Sequence, residues 1–451
     1  MSFQPVVLAA RERLLEGRER IRGQHDSGSP GFQVSNRIAD LYDDIVLRVW
    51  NNAVEGHLDD PRLNGLALVA HGGFGRRDLA PYSDADLMLV TTVRSAGLAA
   101  EVAGSLTRDL VDAGLELGFS IRHPGEACKR AWSDPVIFSS LAESRFLAGK
   151  LHVYRGYFQK LRGGSQRRRL RLTKAVLEAR KEERLKWGET NYLLRPNVKK
   201  SRGALRDIQL VRWIGFARCG ESDLERLFRL GALPAGDLRQ LRNAYAFMLR
   251  LRNELHFRNG RSQDVLDRAT QLEIAKDWGY QPTEGVLAVE FFMQDYFEHT
   301  QNVRYTAAYF ADDTVNSSSS AGWVERAFSR RVADNILMGP ARVWVADADL
   351  PRFSESLPDI LRLMKIANQH SRRISHKTWQ SIREAMQRRV PSSLDADSIN
   401  SFLRLMSGPN RLASLLRRLH ELRVLEQLIP AMKRCRGLLQ FNAYHKYTVD
   451  A

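Results

Sequence analysis

Apolar residues follow a helical period at the start of the chain and a strand period soon after it. Residues 5–22 and 34–55 predict two amphipathic helices, joined by a loop over 23–32 that is rich in glycine, serine and proline. Between residues 66 and 151 the pattern changes to short apolar runs, which indicate a small α/β unit. The predicted strands of this unit are residues 66–70, 87–90 and 115–121, and its predicted helix is 98–112.

After residue 165 the pattern is almost wholly helical. Apolar faces predict helices at residues 166–188, 205–219, 223–230, 236–259 and 285–311. One short strand is predicted at 341–345, and residues 357–451 return to helical spacing. Residues 316–322 include four consecutive serines and are the best candidate for a linker.

These elements predict an α+β fold that is mostly α, with a small mixed-sheet domain followed by helical domains. We divide the chain into N-terminal helices, the sheet-containing domain, a helical domain, the linker and a mostly helical remainder. The predicted boundaries are 1–44, 45–150, 151–315, 316–322 and 323–451.

Composition excludes several classes of protein. Of the 451 residues, 43% are hydrophobic and 27% charged, which is ordinary for a globular protein. No apolar run approaches the ~18 residues of a membrane-spanning helix, and we therefore predict no membrane partner. Three widely separated cysteines fit neither a disulfide framework nor a cysteine-rich zinc site, so we expect a cytoplasmic protein.

The net charge of +17 predicts attraction to phosphates, whether in nucleotides, nucleic acid or a membrane surface. A solvated, arginine-rich helical surface explains the same charge equally well, because the basic residues are spread along the chain.

A glycine pair and an aspartate pair lie on either side of the connection between the first two predicted strands. Without side chains, Gly72 and Gly73 let the backbone approach a bulky anion and direct N–H groups at it. Arg76 adds a charge-assisted contact to phosphate oxygens. Asp84 and Asp86 open the second strand, where alternation places both carboxylates on one face, ~7 Å apart at their Cα atoms.

Two carboxylates this close repel each other and favour a cation between them, and Mg²⁺ typically takes one or two carboxylates together with substrate phosphates. Glu116 stands in the third predicted strand. Three carboxylates converging from adjacent strands can hold two metal ions for in-line displacement at phosphorus. Ser83 is predicted either to bind a phosphate or to cap its turn.

The order of these features resembles the nucleotidyltransferase fold of the DNA polymerase beta superfamily. The sequence has no Walker P-loop and lacks the third glycine of a dinucleotide-binding fingerprint. Further stretches are similar to the bifunctional uridylyltransferase/uridylyl-removing enzymes of the nitrogen regulator PII, and they keep the family's order along the chain. These stretches are residues 114–122, 141–149, 196–199, 203–209, 256–267, 289–296 and 444–450.

The resemblance implies transfer of UMP from UTP to a tyrosine hydroxyl of PII, with Mg²⁺ or Mn²⁺ and release of pyrophosphate. It assigns residues 45–150 as the nucleotidyltransferase domain. It also implies that Glu116 completes the metal site and helps to deprotonate the attacking hydroxyl. The implied metal ligands are Asp84, Asp86 and Glu116, and the implied phosphate-binding residues are Gly72, Gly73, Arg76 and Ser83.

One departure from the family pattern lies before the Leu-Arg-Asp sequence, where the family loop is usually of the kind Gly-Pro-Gly-Gly. Here the loop is Ser201-Arg202-Gly203-Ala204, and two roles stay open for it, binding a partner or capping a helix. Arg206 and Asp207 beside it are predicted to form an intrahelical ion pair. Lys199, Lys200 and Arg202 form a basic cluster that suits a triphosphate, an acidic protein partner or a solvated loop.

A second departure concerns the end of the sequence. Family members continue after Tyr-Thr-Val-Asp with the metal site of an HD phosphohydrolase and two glutamine-sensing ACT domains. The sequence ends at Ala451, so we expect residues 323–451 to lead toward a missing HD domain. We interpret His25-Asp26, in the predicted N-terminal loop, as incidental. We therefore expect no uridylyl removal, and uridylylated PII offered with Mn²⁺ and glutamine should release no UMP.

Two alternatives to a PII uridylyltransferase stay open. The first is a nucleotidyltransferase that acts on tRNA ends or on another protein such as glutamine synthetase. The positive charge gives RNA some weight as a partner, and a steep salt dependence of RNA binding would support it. The second is a non-catalytic regulatory module that binds nucleotide or PII, against which the intact Asp84-x-Asp86 pair argues.

Overall fold

The computed structural model divides into two compact units, residues 1–315 and 316–451. It describes residues 4–187, 193–316, 327–390, 394–407 and 412–438. Most of the predicted linker and the family-like stretch 444–450 lie outside these ranges. Within them, no helix combines the length and apolar character needed to cross a membrane.

The first unit begins with two helices and a four-stranded mixed sheet. Its elements up to residue 149 are α1 (Pro5–Asp26), α2 (Gly31–Val54), β1 (Leu66–Ala70), α3 (Gly72–Arg76), β2 (Ala85–Thr91), α4 (Ala96–Asp112), β3 (Leu117–Arg122), α5 (Pro124–Ser133), α6 (Pro135–Leu141) and β4 (Arg145–Gly149). The strand order is β3-β2-β1-β4. Strand β1 pairs antiparallel with β2 and β4, whereas β2 and β3 pair in parallel and are joined through α4.

The core of this unit lies between the sheet and helices α1, α2 and α4. Helix α2 contributes Ile38, Tyr42 and Ile45, each fully buried at helical spacing. Burying one such side chain is worth about 1.5–3 kcal/mol, so this stripe anchors α2 to the sheet. The loop that leads into β2 packs against Tyr42, and this contact bears on the site described below.

In the part of the chain that the structure describes, the remaining elements of the first unit are helices. They are α7 (Leu151–Arg167), α8 (Arg169–Trp187), α9 (Leu205–Cys219), α10 (Leu224–Arg229), α11 (Ala235–Asn259), α12 (Arg268–Asp277) and α13 (Ala288–Asn316). Helix α11 packs against α2 and α9. The second unit holds β5 (Arg330–Ala333), β6 (Ile336–Met338), β7 (Arg342–Val345), α14 (Leu350–Glu355), α15 (Leu357–Gln369), β8 (Arg373–Ile374), α16 (His376–Arg388), α17 (Ala396–Met406), α18 (Leu412–Glu421), α19 (Val424–Leu428) and α20 (Ala431–Cys435).

The predicted fold class is confirmed, because the chain is predominantly helical with two small mixed sheets. Two details of the predicted sheets are wrong. The first sheet has a fourth strand, β4, and the second unit contains a four-stranded sheet, β5-β6-β7-β8, where one strand was predicted. Strands β5 to β8 are two to four residues long. Alternation of apolar and polar residues cannot be recognised in a sequence over so few positions.

The predicted N-terminal loop at 23–32 is also too long. Helix α1 continues to Asp26, and His25 lies in its last turn. His25 is buried against the Phe257 ring, and its Nε2 lies 2.8 Å from Glu254 Oε2 of α11. This tertiary contact stabilises a helical turn that the local glycine and serine content disfavours.

Candidate active site

Asp84 and Asp86 lie at the start of β2. Asp84 is the residue before the strand and Asp86 is its second residue, so the two side chains share a face. Asp84 is exposed and Asp86 is half-buried. Among the residues that the structure describes, neither carboxylate has a hydrogen-bond or ion-pair partner. The pair is therefore poorly satisfied by the protein itself.

The charge state of Asp86 reflects this arrangement. Burial, and after it the negative charge of Asp84, raise the pKa of Asp86 to about 6. A bound cation would remove both the repulsion and the unsatisfied charge, and carboxylate oxygens are the ligands that Mg²⁺ prefers. The aspartate pair thus fits the predicted divalent metal, and Asp84 and Asp86 are the side chains that would hold it.

Two glycines make room for the Asp86 carboxylate. A Cβ on Gly72 would lie 2.4 Å from Asp86 Oδ2, and a Cβ on Gly118 would lie 2.7 Å from Asp86 Oδ1. Gly118 is the partner of Asp86 across β2 and β3. Gly72 also has a φ of 58°, which side chains rarely adopt. The carboxylate of Asp86 therefore lies between two backbone positions that carry no side chain. Gly118 is a site residue that was not selected from the sequence.

Glu116 lies one residue before β3 and is exposed. The prediction of a strand from residue 115 is wrong at this end, because the N–H of Leu115 donates to the carbonyl of Leu110 in the turn that ends α4. The backbone of Glu116 is nevertheless beside the site, since its carbonyl accepts a 2.8 Å hydrogen bond from the N–H of Ala85.

Within the described ranges, no group of three or more His, Cys, Asp and Glu side chains is arranged to hold a metal ion. The structure therefore brings Asp84 and Asp86 together and leaves Glu116 as an exposed carboxylate near them. Burial raises the pKa of Tyr42 and Arg18 opposes this rise, while the negative charges of Glu116 and Asp84 add to it. The role of Glu116 as a third ligand stays a prediction.

Gly72, Gly73 and Arg76 belong to the short helix α3, which directly follows β1. Arg76 is buried, and its Nε donates a 2.8 Å hydrogen bond to Asp78 Oδ2. Its two terminal nitrogens donate to no other described residue, and its charge lowers the pKa of Asp86. The hydrogen bond to Asp78 thus fixes the orientation of Arg76. The terminal nitrogens of Arg76 stay available as donors near the aspartate pair.

Ser83 is buried in the loop that leads to Asp84. Its Oγ accepts hydrogen bonds from the N–H of Ala80 at 3.0 Å and from Arg252 Nη2 at 3.3 Å. Of the two roles predicted for Ser83, capping the turn is the one for which the structure shows contacts. Tyr42 closes the same loop, because its hydroxyl lies 3.2 Å from the carbonyl of Ser83.

Two cations from the helical part of the first unit act on the aspartate pair through their charge. Lys199 and Arg206 both lower the pKa of Asp86, and Lys199 is close enough to Asp84 for that carboxylate to affect its own pKa. Lys199 lies in the turn before α9, and Arg206 lies in the first turn of α9. The aspartate pair is therefore surrounded by positive charge, a setting that suits a polyanionic substrate.

The predicted intrahelical pair between Arg206 and Asp207 is wrong. Adjacent residues on a helix do not face each other. Asp207 is fully buried and accepts hydrogen bonds from Arg180 Nε and Arg184 Nη2, both at 2.7 Å. The loop before α9 caps this helix internally, because the N–H of Gly203 donates to Asp207 Oδ2 at 2.6 Å.

The sequence is similar to proteins of one family along almost its whole length. The profile of the GlnD PII-uridylyltransferase family matches residues 171–311. Proteins named bifunctional uridylyltransferase/uridylyl-removing enzyme align with 31% identity over 85% of the chain in Ruegeria pomeroyi, and with 28% identity over 93% in Bradyrhizobium diazoefficiens. The chain is similar to the PII-uridylyltransferase family. The predicted resemblance is confirmed.

The chain spans about half the length of the curated relatives it matches. The aligned part covers 43% of the Ruegeria pomeroyi protein and 47% of the Bradyrhizobium diazoefficiens protein. A relative from Rhodopseudomonas palustris gives the same picture, with 27% identity over 93% of this chain and 47% of its own length.

The family profile covers α11, which carries further residues at the site that the sequence analysis did not select. Arg252 and His256 stand four residues apart, so they share one face of α11. Both contact Asp264, and both contact the loop before Asp84, through Ser83 and the N–H of Tyr82. In the sequence, these two residues could have been selected as a pair of basic side chains at helical spacing among apolar neighbours.

Proposed function

We propose that the chain is a metal-dependent uridylyltransferase that transfers UMP from UTP to a tyrosine of a PII-type protein and releases pyrophosphate. The observation that carries this proposal is the pair of unpartnered carboxylates, Asp84 and Asp86, surrounded by cations at the end of a small mixed sheet. The names of the relatives supply the substrate class. We also propose that the metal is Mg²⁺ or Mn²⁺ and that the reaction serves nitrogen regulation.

In the proposed reaction the tyrosine oxygen attacks the α-phosphorus of UTP, and the bond to the β-phosphate oxygen breaks as pyrophosphate leaves. Asp84 and Asp86 would hold the divalent metal, which would supply charge neutralisation at the phosphates. Arg76 donates to phosphate oxygens, and the Gly72–Gly73 backbone approaches them closely. The exposed Glu116 accepts the proton of the tyrosine hydroxyl. Catalysis then consists mainly of positioning and charge neutralisation.

The test is incubation of the chain with purified PII, Mg²⁺ and labelled UTP, ATP or CTP in parallel reactions. We expect label from UTP to enter PII and little from the other two nucleotides. EDTA should abolish the transfer, and added Mg²⁺ or Mn²⁺ should restore it, because the metal is held by carboxylates alone. Label in added tRNA or in glutamine synthetase, with PII untouched, would favour the first alternative, and nucleotide binding without any transfer would favour the regulatory module.

Gly118→Ala should reduce transfer at least about tenfold, because the new methyl group displaces the carboxylate of Asp86 from its position near the metal. The matched control is Gly104→Ala in α4, where an added Cβ meets nothing within 4 Å. That control should keep full activity and gain about 0.5–1 kcal/mol of stability, the usual advantage of alanine over glycine in a helix. Steady-state transfer rates and thermal unfolding of both variants check this, and a fully active Gly118→Ala enzyme would contradict the placement of Asp86.

A further inference from the structure

The turn at residues 197–201 is fixed by its own side chain and by the segment before α12. Asn197 Oδ1 accepts hydrogen bonds from the N–H groups of Lys199 and Lys200, at 3.0 and 2.7 Å. The N–H of Val198 donates to the carbonyl of Asp264 at 2.8 Å. The position of Lys199 is therefore set by backbone contacts and does not depend on its own side chain.

Asp264 connects this turn to the loop that carries the catalytic aspartates. Its Oδ1 accepts from Arg252 Nε at 2.8 Å and from His256 Nε2 at 3.2 Å. Arg252 Nη2 donates to Ser83 Oγ at 3.3 Å, and His256 Nδ1 accepts from the N–H of Tyr82 at 3.4 Å. Two side chains thus connect the Lys199 turn to the residues directly before Asp84.

The ammonium of Lys199 is partly buried, and in the described part of the chain its Nζ has no hydrogen-bond or ion-pair partner. The positive charge of Arg252, together with burial and the charge of Arg206, lowers the pKa of Lys199 to about 8, although the negative charges of Asp264 and Asp84 oppose this shift. A cation crowded by other cations costs the folded protein free energy unless an anion binds beside it. The arrangement is what a site for a multiply charged anion requires.

We propose that Lys199 binds the phosphate tail of the nucleotide held at Asp84 and Asp86 and neutralises charge on the departing pyrophosphate. This inference rests on the proposed function, because it places the anion next to the aspartate pair. Arg76 belongs to α3, which follows strand β1, whereas Lys199 belongs to the turn before α9, and that turn is connected to the loop before Asp84 through Asp264. The helical part of the unit therefore completes a phosphate site that the sheet begins.

Lys200 provides a matched control in the same turn. Its Nζ lies 4.7 Å from the centre of the Trp187 ring, so its charge is engaged in a cation–π contact. The Lys200 ammonium is thus placed over the Trp187 ring. Replacing either lysine by methionine removes one charge and keeps a similar side-chain length.

The experiment compares the wild-type protein with Lys199→Met and Lys200→Met in titrations with inorganic tripolyphosphate and with UTP. Lys199→Met should weaken both affinities at least about tenfold, the usual effect of losing a hydrogen bond to a charged group. Its unfolding temperature should stay the same or rise, because a destabilising charge is removed. Lys200→Met should keep its affinities for tripolyphosphate and UTP. It should be slightly less stable, because it loses the cation–π contact with Trp187.

Unchanged tripolyphosphate affinity in Lys199→Met, an equal loss in both variants, or no binding by the wild-type protein would overturn the inference. The assay with PII separates this inference from the proposed function. A wild-type protein that labels PII, with an unchanged KM for UTP in Lys199→Met, refutes Lys199 alone. Selective loss of tripolyphosphate binding in Lys199→Met, with no labelling of PII by the wild-type protein, supports the phosphate site and refutes the uridylyl acceptor.

Discussion

Asp86→Asn should abolish nucleotidyl transfer and leave the protein folded, with an unfolding temperature that is unchanged or slightly raised. Asparagine has the same shape as aspartate, so it fits between the Gly72 and Gly118 backbones. The substitution removes the charge that a divalent metal needs. It also relieves the repulsion from Asp84 that, after burial, raises the pKa of Asp86 to about 6.

Charge stabilisation of this kind typically contributes ~10²–10³ to an enzymatic rate, so retention of more than about a tenth of the wild-type rate would contradict the assignment of Asp86 as a metal ligand. Asp112→Asn is the matched control, because Asp112 is exposed at the end of α4. It makes the same chemical change away from the site and should leave the rate unaltered. Transfer rates and thermal unfolding of both variants are the measurements.

Asp207→Asn should lower the free energy of unfolding by about 3–5 kcal/mol, the usual cost of removing one partner from a buried ion pair. Burial by itself raises the pKa of Asp207, but the guanidinium groups of Arg180 and Arg184 and the N–H of Gly203 outweigh it and hold that pKa below its usual value. The folded state therefore favours the charged carboxylate. Asparagine would leave the buried Arg180 without its compensating charge.

The same pKa shift gives a pH dependence with a definite sign. A carboxyl group whose pKa is lowered on folding contributes stability above its unfolded pKa of about 3.9, and this contribution is lost as the pH falls through the folded value. The difference in unfolding free energy between wild type and Asp207→Asn should therefore narrow under acid conditions. Urea unfolding at neutral and acid pH measures it.

Glu178→Gln is the control for Asp207, because Glu178 forms an exposed ion pair with Lys181 on α8. Exposed pairs contribute about 0–1 kcal/mol, so this variant should unfold almost as the wild type does. A loss below about 1 kcal/mol in Asp207→Asn would show that the interactions of Arg180 and Arg184 with Asp207 do not hold the α9 cap in place.

Sequence patterns were sufficient for the parts of the fold that depend on local order. Continuous apolar runs define strands β1 and β2. The 3.6-residue period of apolar positions repeats often enough to define helices α4 and α11. The aspartate spacing was equally readable, because alternation in a strand fixes which side chains share a face. Of the two glycines beside Asp86, only Gly72 could be selected from the sequence, because it belongs to a glycine pair. Gly118 can be selected only when the pairing of β3 with β2 is known.

The remaining features depend on contacts between residues far apart in the chain. Asp207 lies next to Arg206 in sequence, yet its partners come from α8, and no local rule selects them. Lys199 and Lys200 are neighbours with the same chemistry, and only the fold separates an ammonium without a partner among the described residues from one that lies over Trp187. The candidates selected from the sequence therefore lie on the sheet side of the candidate site, and the structure added candidates from the helical side.

The most direct test of the central claim is mass spectrometry of PII after reaction with UTP and Mg²⁺, using the wild-type protein and Asp86→Asn side by side. We expect a UMP adduct on a PII tyrosine with the wild-type protein and no adduct with the variant. An adduct formed equally by both proteins would contradict the assignment of the aspartate pair. An unmodified PII with the wild-type protein would contradict the proposed acceptor.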